Sequence, residues 1–355
     1  MESSQIVFIV NSITFYKSHR LDLVNDLKKR GLKVEVWCGN IGSKTDMSLA
    51  DEIFAVKRRI PSLEGIKRLK FLVANKRQAH YVIVSPLLII VFRIFFSYLP
   101  NVYYNFSGLG EFRKLPNLLL KLVFALASIN FKNRNRNFVF QNESDFKLFA
   151  ESRLAKSTNV LLIEGSGFKK GKLSVPVGHR EKLVFGYVGR ISKKKGIITL
   201  LQSFNNPIVK EHLDLVIWGR LDKEGYHGFN KNELNMIERK ANVFLGFSED
   251  KEEIYRSFDV FCIASDGEGI SKSAIEACAF GKPLLMSDVP GARDMISQNG
   301  KLFIFNSSED LVKKLKWFHE NRGSYMLMSK ASEEIFERKF SHERILNKWY
   351  NILSE

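Results

Sequence analysis

Cysteine is nearly missing from this chain, with three residues (Cys38, Cys262 and Cys278) in 355. They lie far apart and form no CxxC pair, which excludes a disulfide framework and fits a reducing cytosol. Histidine supplies no metal site either: the seven residues (19, 80, 179, 212, 227, 319, 342) contain no HxxxH or HExxH, and no Cys/His cluster has zinc spacing. Asp-x-Asp, a common holder of a metal–diphosphate, does not occur. GxSxG is absent too, and with it the usual nucleophile elbow. Long apolar runs are also lacking. Ile6–Val10 follows Met1-Glu2-Ser3-Ser4 rather than basic residues, so it reads as a buried strand and not as a signal peptide. The longest apolar stretch, Val82–Leu99, is interrupted by Ser85, Pro86, Arg93 and Ser97, whereas a spanning helix wants about 20 apolar residues.

Positive charge is present in excess, and unevenly. The net charge is +17. Residues 1–180 hold 29 basic and 13 acidic side chains, and residues 181–355 hold 26 and 25. Two domains with different partners are expected from the length and this asymmetry. A basic surface suits nucleic acid, anionic lipid or a phosphorylated substrate, and charge alone does not choose. With 45% hydrophobic residues there is ample material for two cores.

Short, fully apolar segments separated by helical periodicity signal parallel sheets covered on both faces. Gln5–Val10, Lys33–Cys38, His80–Val84, Val102–Phe106, Asn137–Gln141 and Asn159–Glu164 form one strand series. Lys182–Val188, Leu213–Trp218, Val243–Phe247, Val260–Ala264, Pro283–Ser287 and Leu302–Phe305 form a second. Asn11–Lys17 reads as a loop, Leu21, Val24 and Leu27 mark a helix stopped by Gly31, and Ser341–Leu353 marks a C-terminal helix. Between the two series lies Gly165-Ser166-Gly167-Phe168-Lys169-Lys170-Gly171-Lys172, a linker by composition. It satisfies neither phosphate signature: Ser166 and Leu173 occupy the outer P-loop positions, and Lys170 stands where the Rossmann fingerprint needs its third glycine.

Two segments carry candidate chemistry. Gly189-Arg190-Ile191-Ser192-Lys193-Lys194-Lys195-Gly196 joins an apolar strand to a helical run, and ligands of open α/β sheets bind at such strand-to-helix turns. Arg190 can grip a diphosphate bidentately and a lysine can add a point charge; a solvated basic turn would look the same. Asp266-Gly267-Glu268-Gly269-Ile270-Ser271-Lys272-Ser273-Ala274-Ile275-Glu276 follows another strand. Glu268 in the loop and Glu276 in the first helical turn could face one crevice. Ser273-x-x-Glu276 also fits a capping box, in which the glutamate only satisfies a backbone amide.

Taken with Gly281-Lys282-Pro283 and Asp288-Val289-Pro290-Gly291, this ordered series resembles glycosyltransferase family 4, retaining nucleotide-sugar enzymes of GT-B fold. Val10-Asn11, Ser18-His19-Arg20, Ser107-Gly108-Leu109-Gly110, Gln141-Asn142-Glu143-Ser144-Asp145 and Gly165-Ser166-Gly167 are similar to the bacterial surface-polysaccharide (O-antigen and capsule) branch. The resemblance implies two Rossmann-like, doubly wound parallel-sheet domains facing a cleft. Residues 1–165 would form an acceptor- and membrane-facing domain, 166–181 a linker, 182–340 the nucleotide-sugar domain, and 341–355 a helix returning to the first. It assigns Arg190 and Lys195 to the donor diphosphate and Glu276 to the ribose. Glu268, with the amides of Gly269, Ile270 and Ser271, would meet the donor sugar. Gly108 and Gly110 would approach the sugar-phosphate, the base would rest near Trp218 and Phe247, and Ser18, His19 and Arg20 would lie on the acceptor side. The sequence departs from the family at Ser85-Pro86, where relatives often carry histidine and lysine around Thr-Pro, and at Ser271 and Lys272, where they carry proline and arginine.

The implied reaction moves a hexose or N-acetylhexosamine from a nucleotide sugar, UDP-linked in this reading, to a polyprenyl-diphosphate-linked glycan, with no cofactor and no metal. The expected location is cytoplasmic, peripheral on the inner face of the cell membrane. Lys57–Arg77 and Leu115–Arg136 mix basic and apolar residues; in the latter Leu118, Leu119, Leu122 and Ala125 form a stripe beside Lys121, Lys132, Arg134 and Arg136. Such a face can lie on anionic lipid or be a core helix with a solvated end. A sugar-nucleotide epimerase of similar fold is the nearest alternative. A nucleic-acid-binding protein would need a recognition motif that is not evident, so nucleic acid is not an expected partner.

Overall fold

A computed structural model describes residues 5–40, 48–57, 60–110, 113, 136–151, 159–170, 180–221, 229, 233, 244–267 and 269–354. The chain divides into two compact units, residues 1–167 with 342–355, and residues 168–341.

The first unit is built on β1 (Ile6–Val10), β2 (Val34–Asn40), β3 (Glu52–Lys57), β4 (Ile60–Pro61), β5 (His80–Val84), β6 (Val102–Phe106), β7 (Arg136–Phe140) and β8 (Asn159–Leu162). They order as β4-β3-β2-β1-β5-β6-β7-β8, all parallel except the β3–β4 pair. Alternation sends Val7 and Ile9 into one core and Ile6, Phe8 and Val10 into another, because successive strand side chains point to opposite faces. Helices α1 (Ile13–His19), α2 (Leu21–Lys29), α3 (Leu63–Ala74) and α4 (Pro86–Phe95) cover them. Leu69, Leu72 and Val73 of α3 and Leu88, Ile89 and Phe92 of α4 fill the first core. Leu23, Val24 and Leu27 of α2 share the second with Ile345, Leu346 and Trp349 of the C-terminal helix, His342–Ser354. That helix is fixed by Tyr103, whose hydroxyl donates to Ile352 O (2.6 Å), and by the Lys348–Glu164 pair (2.5 Å).

Two sequence expectations change in this unit. Asn11–Lys17 is not all loop: Ser12 caps α1 by accepting from Phe15 N at 3.1 Å, the usual service of an N-cap serine. β3 was missed because its burial is irregular rather than alternating or continuous. The stripe expected over Leu115–Arg136 lies outside the described residues, apart from Arg136, which opens β7.

The second unit carries β9 (Leu183–Val188), β10 (Leu213–Trp218), β11 (Phe244–Gly246), β12 (Val260–Ile263), β13 (Leu284–Ser287) and β14 (Gly300–Phe303). All are parallel in the order β11-β10-β9-β12-β13-β14. The last strand starts two residues earlier than the periodicity suggested. Phe185 meets Phe204 and Phe318 edge-on at 5.6 and 5.7 Å. Gly186 is a glycine because a Cβ there would sit 2.0 Å from the Phe258 ring.

Among the described residues no helix is long and apolar enough to cross a membrane.

Candidate active site

In the second unit the chain leaves β9 for β10 and β11 on one side, then returns to β12 on the other. Such a reversal opens a crevice at the carboxyl ends of the two central strands, the general ligand site of open α/β sheets. Both motif loops stand there. The first follows β9: Gly189, exposed Arg190, a tight turn at Lys193–Lys195, and Gly196 opening the Ile197–Phe204 helix. The second follows β12 and opens the Lys272–Ala279 helix.

The loops are laced together. Lys194 O accepts from Asp266 N at 2.9 Å and from Ser265 Oγ at 3.2 Å. Gly196 has φ +66°, and a Cβ there would lie 1.9 Å from Ala264 O. Only glycine tolerates both the left-handed backbone and that approach. Arg190 and Lys195 therefore sit on a loop whose path is set by the neighbouring one. Tyr187 supports it by donating from its hydroxyl to Arg190 O at 2.5 Å.

Glu276 is not the first-turn residue the spacing suggested; it is the fifth residue of its helix and only 3% exposed. The capping-box alternative fails, because Ser271 is the N-cap and accepts from Ala274 N. The Glu276 carboxylate instead accepts from the Tyr255 hydroxyl (3.0 Å) and pairs with Lys251 Nζ (2.9 Å). Burial and the neighbouring Glu276 push the Tyr255 phenol well above its ordinary range, so Tyr255 is a neutral donor. Sequence reasoning named neither partner. Gly269 and Ile270 are half-buried and Ser271 buried, all leading into that helix, whose N-terminal amides favour anions. Glu268 lies outside the described residues.

Toward β10 and β11 the strand ends are drawn close, with Gly219 N donating to Gly246 O at 2.7 Å and Gly189 N to Trp218 O at 2.9 Å. Trp218 is buried and its indole N–H donates to Ser257 Oγ (2.7 Å). Phe247 is exposed, and the Arg220 guanidinium lies 4.0 Å from its ring centroid. Gly281-Lys282-Pro283 precedes β13 and so stands at the strands' amino ends, opposite the crevice. Lys282 is buried there, donates to Phe258 O at 2.9 Å, and is pulled down to about 8 by burial. That segment belongs to the scaffold.

The first unit reverses between β1 and β5. After β5, Ser85 adopts φ +108°, a strained conformation for a residue with a Cβ. After β1, α1 ends on Ser18, His19 and Arg20. Ser18 Oγ and His19 Nδ1 are 2.5 Å apart, and His19 stacks on Phe15 (4.5 Å, 5°). Arg20 is 1% exposed; Nη1 donates to His19 O, while Nε and Nη2 have no hydrogen-bond partner among the described residues. Desolvation lowers its guanidinium to about 10. Gly108 (φ +143°) and Gly110 (φ +55°) flank Leu109, whose N–H donates to Asp145 Oδ2 at 3.1 Å. Asp145 also pairs with Arg113 and accepts from Asn142 Nδ2 at 2.8 Å. The Gly108–Gly110 and Gln141–Asp145 segments are thus one structural element held by a buried carboxylate.

Among the described residues no group of three His, Cys, Asp or Glu could hold a metal ion.

This arrangement has relatives. The capsular polysaccharide biosynthesis glycosyltransferase CapM of Staphylococcus aureus is 28% identical over 178 residues, 48% of this chain and 46% of that protein. The N,N'-diacetylbacillosaminyl-diphospho-undecaprenol alpha-1,3-N-acetylgalactosaminyltransferase of Campylobacter jejuni is 25% identical over 242 residues, 64% of each. The chain therefore spans about half to under two thirds of these relatives' length. Among solved structures, Anabaena HepE in complex with UDP and glucose superposes with TM-score 0.70 at 17% identity, over 99% of both chains. Sucrose-phosphate synthase from Thermosynechococcus elongatus gives 0.74 at 16% identity over 98% of both. The shared fold is GT-B. Residues 172–335, the stretch that contains both laced loops, match the family described as Glycosyl transferases group 1.

Proposed function

We propose that this chain is a retaining glycosyltransferase that moves a hexose or N-acetylhexosamine from a UDP-sugar to a lipid-diphosphate-linked glycan in surface-polysaccharide synthesis. The observation that carries the reading is the lacing of two motif loops, one cationic and one leading to a helix N-terminus, at the β9/β12 reversal. Arg190 and Lys195 hold the donor diphosphate and Glu276 binds ribose. Glu268 and the Gly269–Ser271 amides hold the donor sugar, with the base near Phe247 and Trp218. Gly108 and Gly110 leave their backbone open to close approach by a phosphate.

In the transfer step the bond from sugar C1 to the phosphate oxygen breaks and one to the acceptor hydroxyl oxygen forms on the same face. The hydroxyl proton passes to the departing phosphate. No protein base is needed, and the protein's work is positioning and stabilising charge on the leaving group. Ser18, His19 and Arg20 serve the acceptor side, and a buried guanidinium with two unpaired nitrogens suits an anionic group there.

The first unit also meets an anionic membrane in this reading. Every large apolar side chain exposed among its described residues lies within residues 53–98, Leu63 and Phe71 on α3 and Ile94 and Phe95 on α4 among them. Lys70 Nζ lies 5.1 Å from the Phe95 ring centroid, and Lys57–Arg77 holds eight basic residues against one acidic. Exposed aromatic rings with a cation against each, Arg68 on Phe71 and Lys70 on Phe95, suit a headgroup boundary.

Titration with UDP, GDP and ADP, followed by transfer assays from UDP-N-acetylhexosamines, tests the enzyme reading. Arg190→Ala and Glu276→Ala should fold normally and lose transfer by about 100-fold or more. A fully active variant of either sinks the site assignment, and silence toward every nucleotide sinks the enzyme.

A further inference from the structure

Glu276 offers its two carboxylate oxygens unequally. The Tyr255 hydroxyl and Lys251 Nζ both end on Oε2, at 3.0 and 2.9 Å, and Oε1 accepts no hydrogen bond from the described residues. A carboxylate oxygen has about two lone-pair positions, so Oε2 is fully used and Oε1 is not.

Both donors come from one short helix, Lys251–Arg256, where positions four apart share a face. Asp250 caps that helix by accepting from Glu252 N and Glu253 N at 2.8 and 3.3 Å. The Tyr255 ring is locked by stacking on Phe280 (4.9 Å, 11°) and by edge contact with Phe258 (5.5 Å). Its hydroxyl also lies 2.9 Å from Ser273 O. One proton is thus shared between two acceptors, and the full counter-charge for buried Glu276 falls to Lys251. A buried carboxylate needs such a partner to remain ionised.

We propose that Tyr255 and Lys251 are positioning residues that occupy Oε2 of Glu276 and so reserve Oε1 for a hydroxyl of the bound nucleotide's ribose. This rests on the ribose-binding reading of Glu276. It adds a specificity rule: the hydroxyl that reaches Oε1 is read by a carboxylate whose orientation is fixed from the Oε2 side.

The test measures calorimetric affinities of the full chain for UDP, 2'-deoxy-UDP and 3'-deoxy-UDP, with Tyr255→Phe, Lys251→Met and Lys251→Arg. Tyr255→Phe should weaken UDP about three- to ten-fold, the worth of one hydrogen bond. It should leave at wild-type affinity the deoxy analogue that lacks the hydroxyl read by Oε1. Lys251→Met should likewise weaken UDP while sparing the same deoxy analogue, because it removes the charged donor on Oε2; Lys251→Arg should restore the wild-type affinity. Equal weakening of all three ligands by Tyr255→Phe would mean a structural role and overturn the proposal, as would no weakening of any. If the wild type binds UDP and both analogues alike, Glu276 does not read ribose, and the parent reading falls with this one. If the wild type discriminates while the variants change nothing, this proposal alone fails.

Discussion

The β9/β12 reversal of the second unit and the β1/β5 reversal of the first obey the same topological rule and are furnished by opposite means. At β9/β12 the backbone does the holding: Lys194 O ties two loops together, Gly196 admits Ala264 O, and the charges of Arg190 and Lys195 ride on that frame. At β1/β5 the side chains carry the burden. Ser85 is held in a strained conformation and Arg20 is buried with two nitrogens that find no partner among the described residues. A backbone-built crevice can be demanding about one ligand, because moving any strand end disturbs the others. A side-chain-built one can change its chemistry by substitution while the sheet stays intact. In the proposed reading the backbone-built crevice serves the donor and the side-chain-built one the acceptor.

The largest effect that would break this contrast is at Gly196. Gly196→Val should cost ~3 kcal/mol or more, since it combines left-handed strain with a clash against backbone. Circular dichroism melts would show a lower Tm, with nucleotide affinity lost even in the fraction that folds. A variant as stable as the parent would mean that the two loops are not a single frame. Arg20→Met sharpens the other side. Replacing a buried guanidinium that donates to His19 O with an apolar chain of similar length should leave Tm unchanged or raise it, because the desolvation cost of the charge is removed, while transfer to an anionic acceptor drops. A large loss of Tm would show that Arg20 is structural. The smallest effect concerns the exposed apolar face. Phe71→Ser together with Phe95→Ser should reduce flotation with anionic vesicles roughly five-fold, at about 1 kcal/mol, with nucleotide affinity untouched. Equal partitioning onto anionic and neutral vesicles would remove the membrane from the account.

The parallel sheets were legible because buried strands such as Val82–Val84 and Phe261–Ile263 are uninterrupted apolar runs, which leave few other readings. Gly196 could be singled out as the end of a strand-to-helix turn. What the sequence withheld was pairing across distance. Nothing local ties Tyr255 and Lys251 to Glu276, twenty and more residues away, and a serine three before a glutamate reads as a cap wherever it stands. The true cap was Ser271, two residues earlier. α1 was missed for the converse reason: seven residues give too short a window for helical periodicity, and only Ser12 marked its start. Arg20 was visible as a residue, but its burial, with no acidic partner among the described residues, is a property of the fold alone.

The C-terminal helix carries a consequence for how the molecule is made. Trp349 lies 6.0 Å from Phe8 of the first strand, so one face of the first sheet is closed by residues synthesised after the whole second unit. Emerging from the ribosome, the first unit must wait with Phe8 lacking its Trp349 neighbour while the second, whose residues 168–341 are contiguous, can complete itself. The order of folding is therefore inverted with respect to the order of synthesis. The unit made first is finished last.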